Sequence, residues 1–155
     1  MKLSTREDIE LPAEALFDEL CDVSRFERAA LKRGVSLKRL DTLSAPGAGM
    51  SWDIGFRFRG KPRQILADLR RFERPEALDY AGESSSFAMV LELRMVALSR
   101  SRTRLVAALE VKPRTLGARL MIQSAKLGRA NLERKFAERV KLFARALEMK
   151  GAAEG

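Results

Sequence analysis

The sequence predicts an α+β fold: a curved antiparallel sheet of about seven strands wrapped around a long C-terminal helix, with two short helices between the first and second strands. Three observations carry this expectation. Between Val35 and Val111 several segments alternate apolar and polar residues, the period of a strand with one dry face. The links between those segments are too short for parallel crossovers, so neighbours join as hairpins. After them Leu132, Phe136, Val140, Phe143 and Leu147 recur at spacings of four and three, a dry stripe opposite Arg134, Glu138, Lys141 and Arg145.

Lys2 to Leu11 reads as the first strand, with Leu3, Thr5, Ile9 and Leu11 on one face and Glu7 among them. Pro12 ends it and opens a short helix over Ala13 to Cys21, whose inner face is Leu16, Phe17, Leu20 and Cys21. Asp22 or Ser24 caps a second helix from Arg25 to Lys32, and Gly34 closes it. Val35 to Leu40 is a modest strand, and Leu43 to Gly49 a loop by composition. Met50, Trp52, Ile54, Phe56 and Phe58 then alternate with Ser51, Asp53, Gly55, Arg57 and Arg59, aromatic inside and basic outside. Gly60-Lys61-Pro62 turns the chain into Arg63 to Glu73. There Ile65 and Leu69 share one face and Leu66 and Phe72 the other, as at a bulge or on a strand partly buried on both sides.

Arg74-Pro75-Glu76 leads into a strand over Ala77 to Glu83, and Ser84-Ser85-Ser86 into a longer one faced by Phe87, Met89, Leu91, Leu93 and Met95. Leu105, Ala107, Leu109 and Val111 face the last strand, Pro113 stops it, and Thr115 caps the helix from Leu116 to Met149. The first half of that helix is apolar nearly all round, with Leu116, Leu120 and Leu127 on one flank and Ala118, Ile122 and Ala125 on another. Such a segment is expected to be covered on more than one side and to border a cavity. Gly117 and Gly128 mark a fray and a bend. Residues 1–150 are expected to form one domain, and Gly151 to Gly155 a loose tail.

The 155 residues include no histidine and one cysteine, Cys21, so no thiolate or imidazole cage for a metal and no internal disulfide is expected, and no cofactor either. The Ser-His-Asp and Cys-His constellations are excluded, which leaves carboxylates, Lys, Tyr or ordered water for any catalysis. Cys21 reads as a buried filler, since no histidine exists to activate it. The apolar runs are far shorter than a membrane helix needs, and charges interrupt the N-terminal stretch where an export signal would be apolar, so a cytoplasmic protein is expected. Thirty Lys and Arg against 21 Asp and Glu give a formal charge of +9. Such a surface attracts anions of any kind without choosing among them. Phe56-Arg57-Phe58-Arg59 mixes aromatic and basic residues, but the period of two separates them onto opposite faces, which argues against nucleic-acid stacking.

Taken together, the strand running into Pro12-Ala13-Glu14-Ala15-Leu16-Phe17-Asp18, the meander from Gln64-Ile65-Leu66-Ala67-Asp68-Leu69 to Tyr80-Ala81-Gly82, and Val111-Lys112-Pro113 before an amphipathic helix resemble the START-like, SRPBCC or helix-grip superfamily, in its polyketide cyclase/dehydrase and lipid transport branch. The resemblance spans nearly the whole chain and rests on element order and apolar pattern. It implies a cavity between sheet and last helix that takes a hydrophobic small molecule. No member's catalytic residues match, so none are carried over.

Trp52, Phe56, Phe58, Tyr80, Phe87, Met89, Leu91 and Met95 are the candidate lining from the sheet, and Met121, Ala125, Gly128 and Arg129 from the helix. The same residues read equally as ordinary core, and the small ones as sites of close helix approach. Arg129, in line with the apolar stripe, either meets an acid inside the cavity or extends its stem to water. Three functions follow: a carrier of a small apolar or amphipathic molecule, a cyclase- or hydrolase-type enzyme using water and Glu7, Asp68, Arg70 or Arg71, or a protein that contacts an anionic partner or membrane surface through its basic exterior.

Overall fold

Two strands that are neighbours in sequence, the first and the second, stand at opposite edges of one seven-stranded antiparallel sheet ordered β1-β7-β6-β5-β4-β3-β2. The computed structural model describes residues 1–154, the last three as backbone. Its elements are β1 (Lys2–Ile9), α1 (Ala13–Leu20), α2 (Val23–Lys32), β2 (Ser36–Arg39), β3 (Ser51–Phe58), β4 (Lys61–Glu73), β5 (Ala77–Glu83), β6 (Phe87–Ala97), β7 (Thr103–Pro113), α3 (Leu116–Lys126) and α4 (Arg129–Glu154). From β2 to β7 the chain is a hairpin meander, as the short links predict. The chain must cross from the β1 edge to the β2 edge once, and α1 and α2 make that crossing. Asp22 caps α2 by accepting from the Arg25 N–H, and Thr115 caps α3 by accepting from the Ala118 N–H, each satisfying a donor the helix leaves free.

The sheet's inner face follows from its register. Trp52 lies opposite Ala67, Leu69 opposite Tyr80, Tyr80 opposite Leu91, and Leu91 opposite Leu109. The register of β4 on β5 shifts between Leu69 and Arg71, so Arg70 is the extra residue of a β-bulge. One extra residue reverses the phase, so Phe72 pairs with Leu78 and joins the inner face, where its ring meets Phe17 edge-on at 5.1 Å. Leu66, before the bulge, stays exposed on the outer face. The β3–β4 turn lies one residue earlier than expected, at Arg59 and Gly60, both with positive φ, while Pro62 is inside β4. Pro62 is tolerated because β5 pairs with β4 only from Leu66 onward, so the missing N–H falls on an unpaired edge.

The deep core gathers where β1, α1, β7 and α4 meet: Ile9, Leu16, Phe17, Leu105, Ala144 and Leu147 are buried together. Thr103, the buried polar residue there, donates its hydroxyl to the Leu11 carbonyl at 2.7 Å. Polar contacts fasten α4 around this core. Arg145 reaches the Asp8 carbonyl at 2.9 Å and the Glu7 carboxylate at 3.5 Å, and the Glu10 N–H donates to Glu148 at 2.9 Å. Lys150 meets Glu19 of α1 at 2.7 Å. Among the described residues no helix is long and apolar enough to cross a membrane.

The structure revises what was expected of the C-terminal region. The last helix is two helices, because Leu127 and Gly128 close α3 with short turn bonds and Leu132 restarts the ladder on the Gly128 carbonyl. Gly128 is therefore a break rather than a bend, and Gly117 lies within α3. The first half is not covered on several sides: of α3 only Ala118 and Ile122 are buried. Nor is Gly151 to Glu154 a loose tail, since α4 continues through it. Gly151 lies so close to Leu11 that a Cβ would fall 2.5 Å from its Cδ2. Gly155 lies outside the described residues.

The β2–β3 connection is held by one carboxylate. Asp41 accepts from Arg39 Nε at 2.7 Å, from the Ser51 N–H at 2.8 Å and from the Leu43 N–H at 3.0 Å. Arg39 first, then the Ser51 amide, hold its carboxyl far below the ordinary 3.8. A carboxyl lowered on folding stabilises the native state above its unfolded value and loses that contribution as pH falls toward its folded one. Urea midpoints measured from about pH 7 down to about pH 2 should fall for the wild type once pH drops below the unfolded carboxyl's range; Asp41→Asn should start lower and fall less. Asp8 and Asp18, lowered by Arg104 and Arg74, keep some acid dependence in the variant. In the same denaturation assay at neutral pH, Leu147→Ala should cost about 2–5 kcal/mol, and Leu142→Ala, on the wet side of α4, under about 0.5 kcal/mol.

Candidate functional site

Between the inner face of the sheet and α4 lies a cavity of about 500 Å³, partly open to solvent. Its floor is made by Trp52 and Ile54 of β3, Ala67, Leu69 and Phe72 of β4, Tyr80 of β5, and Leu91 and Leu93 of β6. Phe136, Val140 and Phe143 of α4 face it from above, at successive turns of the stripe that periodicity identifies. Leu20 and Cys21 at the end of α1, with Val23 and Phe26 of α2, close one side. The crossing helices thus serve as a wall. Phe26 stacks on Phe143 with ring centroids 5.8 Å apart, and Arg25 stands 5.6 Å from the Phe143 ring centre, so α2 and α4 are joined by ring contacts.

The space exists because α4 meets the sheet unevenly. Ala144 and Leu147 are fully buried, whereas Phe143 and Val140, one and two turns before Leu147, are only half-buried. The facing sheet positions include Ala67 and Ala107, which do not fill the gap. Among the described residues no aspartate or glutamate lines the cavity. The polar groups in its wall are the Trp52 indole, the Tyr80 hydroxyl, the Cys21 thiol and the Arg139 guanidinium. Among the described residues neither Trp52 nor Tyr80 has a hydrogen-bond partner, and Arg139 has no ion pair. Burial pushes the Tyr80 hydroxyl up to about 12 and the Cys21 thiol up to about 11, so both are neutral and protonated at pH 7. The Tyr80 and Trp52 rings lie 6.0 Å apart, and Arg39, fixed by Asp41, stands 5.8 Å from the Trp52 ring centre.

Of the twelve residues singled out in the sequence, the structure brings Trp52, Tyr80 and Leu91 into this wall. Met95 is buried in the core, and Phe56, Phe87 and Met89 are half-buried without lining the cavity. Phe58 is exposed near the β3–β4 turn under Arg59. Met121 is exposed on α3, Ala125 is half-buried there, and Gly128 lies in the break after it. Arg129 extends outward, its Nε donating to Glu133 at 2.9 Å and its Nη2 to the Lys2 carbonyl at 3.2 Å. The expectation that the first half of the last helix borders the cavity is therefore overturned: the second half does, and the arginine that reaches the cavity is Arg139. The four alternative polar candidates also lie off the wall. Glu7 meets Arg145, Asp68 pairs with Arg70 at 3.1 Å, and Arg71 pairs with Glu73 at 2.8 Å.

Sequence reasoning missed the contributions of α1 and α2, because a helix's apolar face does not say which neighbour it will meet. It missed Phe72 because the pattern of Arg63 to Glu73 fits either a bulge or a strand partly buried on both sides, and only the register shift between Leu69 and Arg71 decides for the bulge. For Arg139 the sequence carries no signal.

No protein-family model and no curated protein sequence matches the chain. Solved structures do. The chain superimposes on the Zhui aromatase/cyclase of Streptomyces sp. R1128 with a TM-score of 0.71 and 16% identity, covering 100% of this chain and 98% of that one. It superimposes on TTHA0849 of Thermus thermophilus with a TM-score of 0.62 and 16% identity over 100% and 99%. A START superfamily protein of Mycobacterium smegmatis gives 0.57 and 13% over 90% and 98%. Identities this low speak to backbone arrangement alone, and on that evidence the chain has the START-like, or SRPBCC, helix-grip fold.

Proposed function

We propose that the protein binds a small, predominantly apolar molecule between the sheet and α4 and carries it without chemical change. The observation that supports this most is the cavity itself: about 500 Å³ of space in an apolar wall, of the size and character of small-molecule sites. A void of that kind left empty forfeits packing contacts, so an apolar guest gains both dispersion and burial. The unpartnered Tyr80 hydroxyl and Trp52 N–H would each gain a hydrogen bond from one polar function on the guest, and Arg139 would pair with an acidic group at the margin. The ligand class we infer is an amphipathic molecule with a flat or branched hydrocarbon body and one polar or acidic end.

The likeness to a solved aromatase/cyclase favours a second reading, catalysis of a related kind. In that reading Tyr80, held in its protonated form, donates to an oxygen where charge develops. Among the described residues the wall offers no carboxylate to take up a proton, which is why carriage is the preferred reading.

The chain has one tryptophan and it stands in this wall, so its emission reports occupancy directly. Titration with aromatic and fatty acids, alcohols and hydrocarbons should quench or shift Trp52 emission saturably. A series of apolar probes that leaves the emission unchanged, with no mass increment by native mass spectrometry, would sink the proposal. Ala67→Phe, which adds a ring to the floor, should weaken binding by about tenfold or more while keeping the circular dichroism spectrum. Tyr80→Phe should weaken guests with a polar end by about threefold to tenfold and leave hydrocarbon guests unchanged.

A further inference from the structure

One surface of the molecule is not used by the cavity at all. Leu116, Leu120 and Leu127, spaced i, i+4 and i+11, fall on one line along α3, since Leu127 keeps helical backbone angles at the C-cap. They are 73%, 58% and 91% exposed, and Met121 beside them is 45% exposed. Nothing in the fold asks for leucine there. The opposite face of α3 is satisfied by Ala118 and Ile122, at 2% and 7% exposure, with Thr115 closing the helix start. The charges on the stretch of chain that carries the ridge have a single sign. From Val111 to Leu132 the chain carries Lys112, Arg114, Arg119, Lys126 and Arg129 and no acidic residue. Lys112, Arg114 and Arg129 pair with Glu110, Glu83 and Glu133, but Arg119 and Lys126, along the flank of the leucines, have no ion pair among the described residues.

We infer that α3 is a docking element for an anionic lipid surface, its leucine ridge entering the headgroup layer and Arg119 and Lys126 pairing with lipid phosphates. An apolar ridge flanked by cations is the composition of a helix that lies in a membrane interface. Self-association through the same face would bring two sets of cations together, which like-charge repulsion opposes. A protein partner would need a groove shaped to the ridge, whereas a fluid interface moulds itself to a convex helix. The proposal does not depend on what the cavity holds.

Flotation of the full chain with vesicles of phosphatidylcholine alone, and of phosphatidylcholine mixed with phosphatidylglycerol, tests it. Binding should appear with the anionic vesicles, be weaker by about tenfold or more on the neutral ones, and decline as salt is raised. Each of Leu116→Gln, Leu120→Gln and Leu127→Gln should reduce partitioning by about threefold to tenfold, because each withdraws one side chain from the apolar layer. Leu31→Gln and Leu142→Gln, exposed leucines on α2 and α4, should not. Since all five side chains are solvent-facing, thermal midpoints should stay at the wild-type value. Arg119→Glu with Lys126→Glu should abolish the preference for anionic lipid. Wild-type protein that stays with the soluble fraction, leucine variants that float as well as wild type, or a dimer that dissociates on Leu120→Gln would each overturn the proposal; the last two assign the ridge to no partner and to a second copy.

Discussion

Everything about the cavity depends on how one helix is pinned to one sheet. Near its C-terminal end α4 is fixed by packing and polar contacts together: Leu147 and Ala144 enter the core, Arg145 holds β1, Glu148 holds Glu10 just beyond it, and Lys150 reaches α1. That end has no slack. On the N-terminal side of this clamp the same stripe continues with Phe143, Val140 and Phe136, which line the cavity. A helix clamped firmly at one end and propped at the other is a simple way to keep an apolar space open without collapsing it, because collapse would have to break the clamp. Phe26 and Phe143 supply the prop from the side.

The electrostatics of the chain divide the same way. The outer face of the sheet is a mosaic of short-range pairs, Arg104 with Asp8 and Arg94 with Asp79 among them, which satisfy long side chains at the surface and add little stability each. The cavity wall admits almost no charge. Its Tyr80 hydroxyl and Cys21 thiol stay protonated at neutral pH, and neither Tyr80 nor Trp52 has a hydrogen-bond partner among the described residues, the condition in which a guest rather than the protein completes their hydrogen bonding. Arg39 is the intermediate case: its own charge is answered by Asp41, yet its guanidinium lies near the Trp52 ring and so couples the loop to the wall.

Most of the fold was legible because strands of this kind write their facing into the sequence. Trp52, Tyr80 and Leu91 were readable as inward-facing from the period of two, and Asp22 and Thr115 as caps from residue type. What was not legible depended on a third dimension. Leu116, Leu120 and Leu127 look the same in sequence whether a helix is enclosed or bare, and only the tertiary arrangement shows them bare. Gly117 and Gly128 carry the same low helix propensity, yet Gly128 follows the end of a helix while Gly117 sits inside one. The cavity's helical wall was placed one helix too early for the same reason: apolarity measures the wish to be covered, not the partner that does it.

The bulge at Arg70 has a consequence for how such a cavity can change. Because side chains alternate strictly along a strand, adding or dropping one unpaired residue exchanges the two faces for every position downstream. Here a single insertion decides that a phenylalanine belongs to the chamber and its arginine neighbours to the exterior. Reshaping the chamber therefore does not require rewriting its lining residue by residue; a change in chain length of one amino acid, at one point on β4, would swap a whole set of side chains at once.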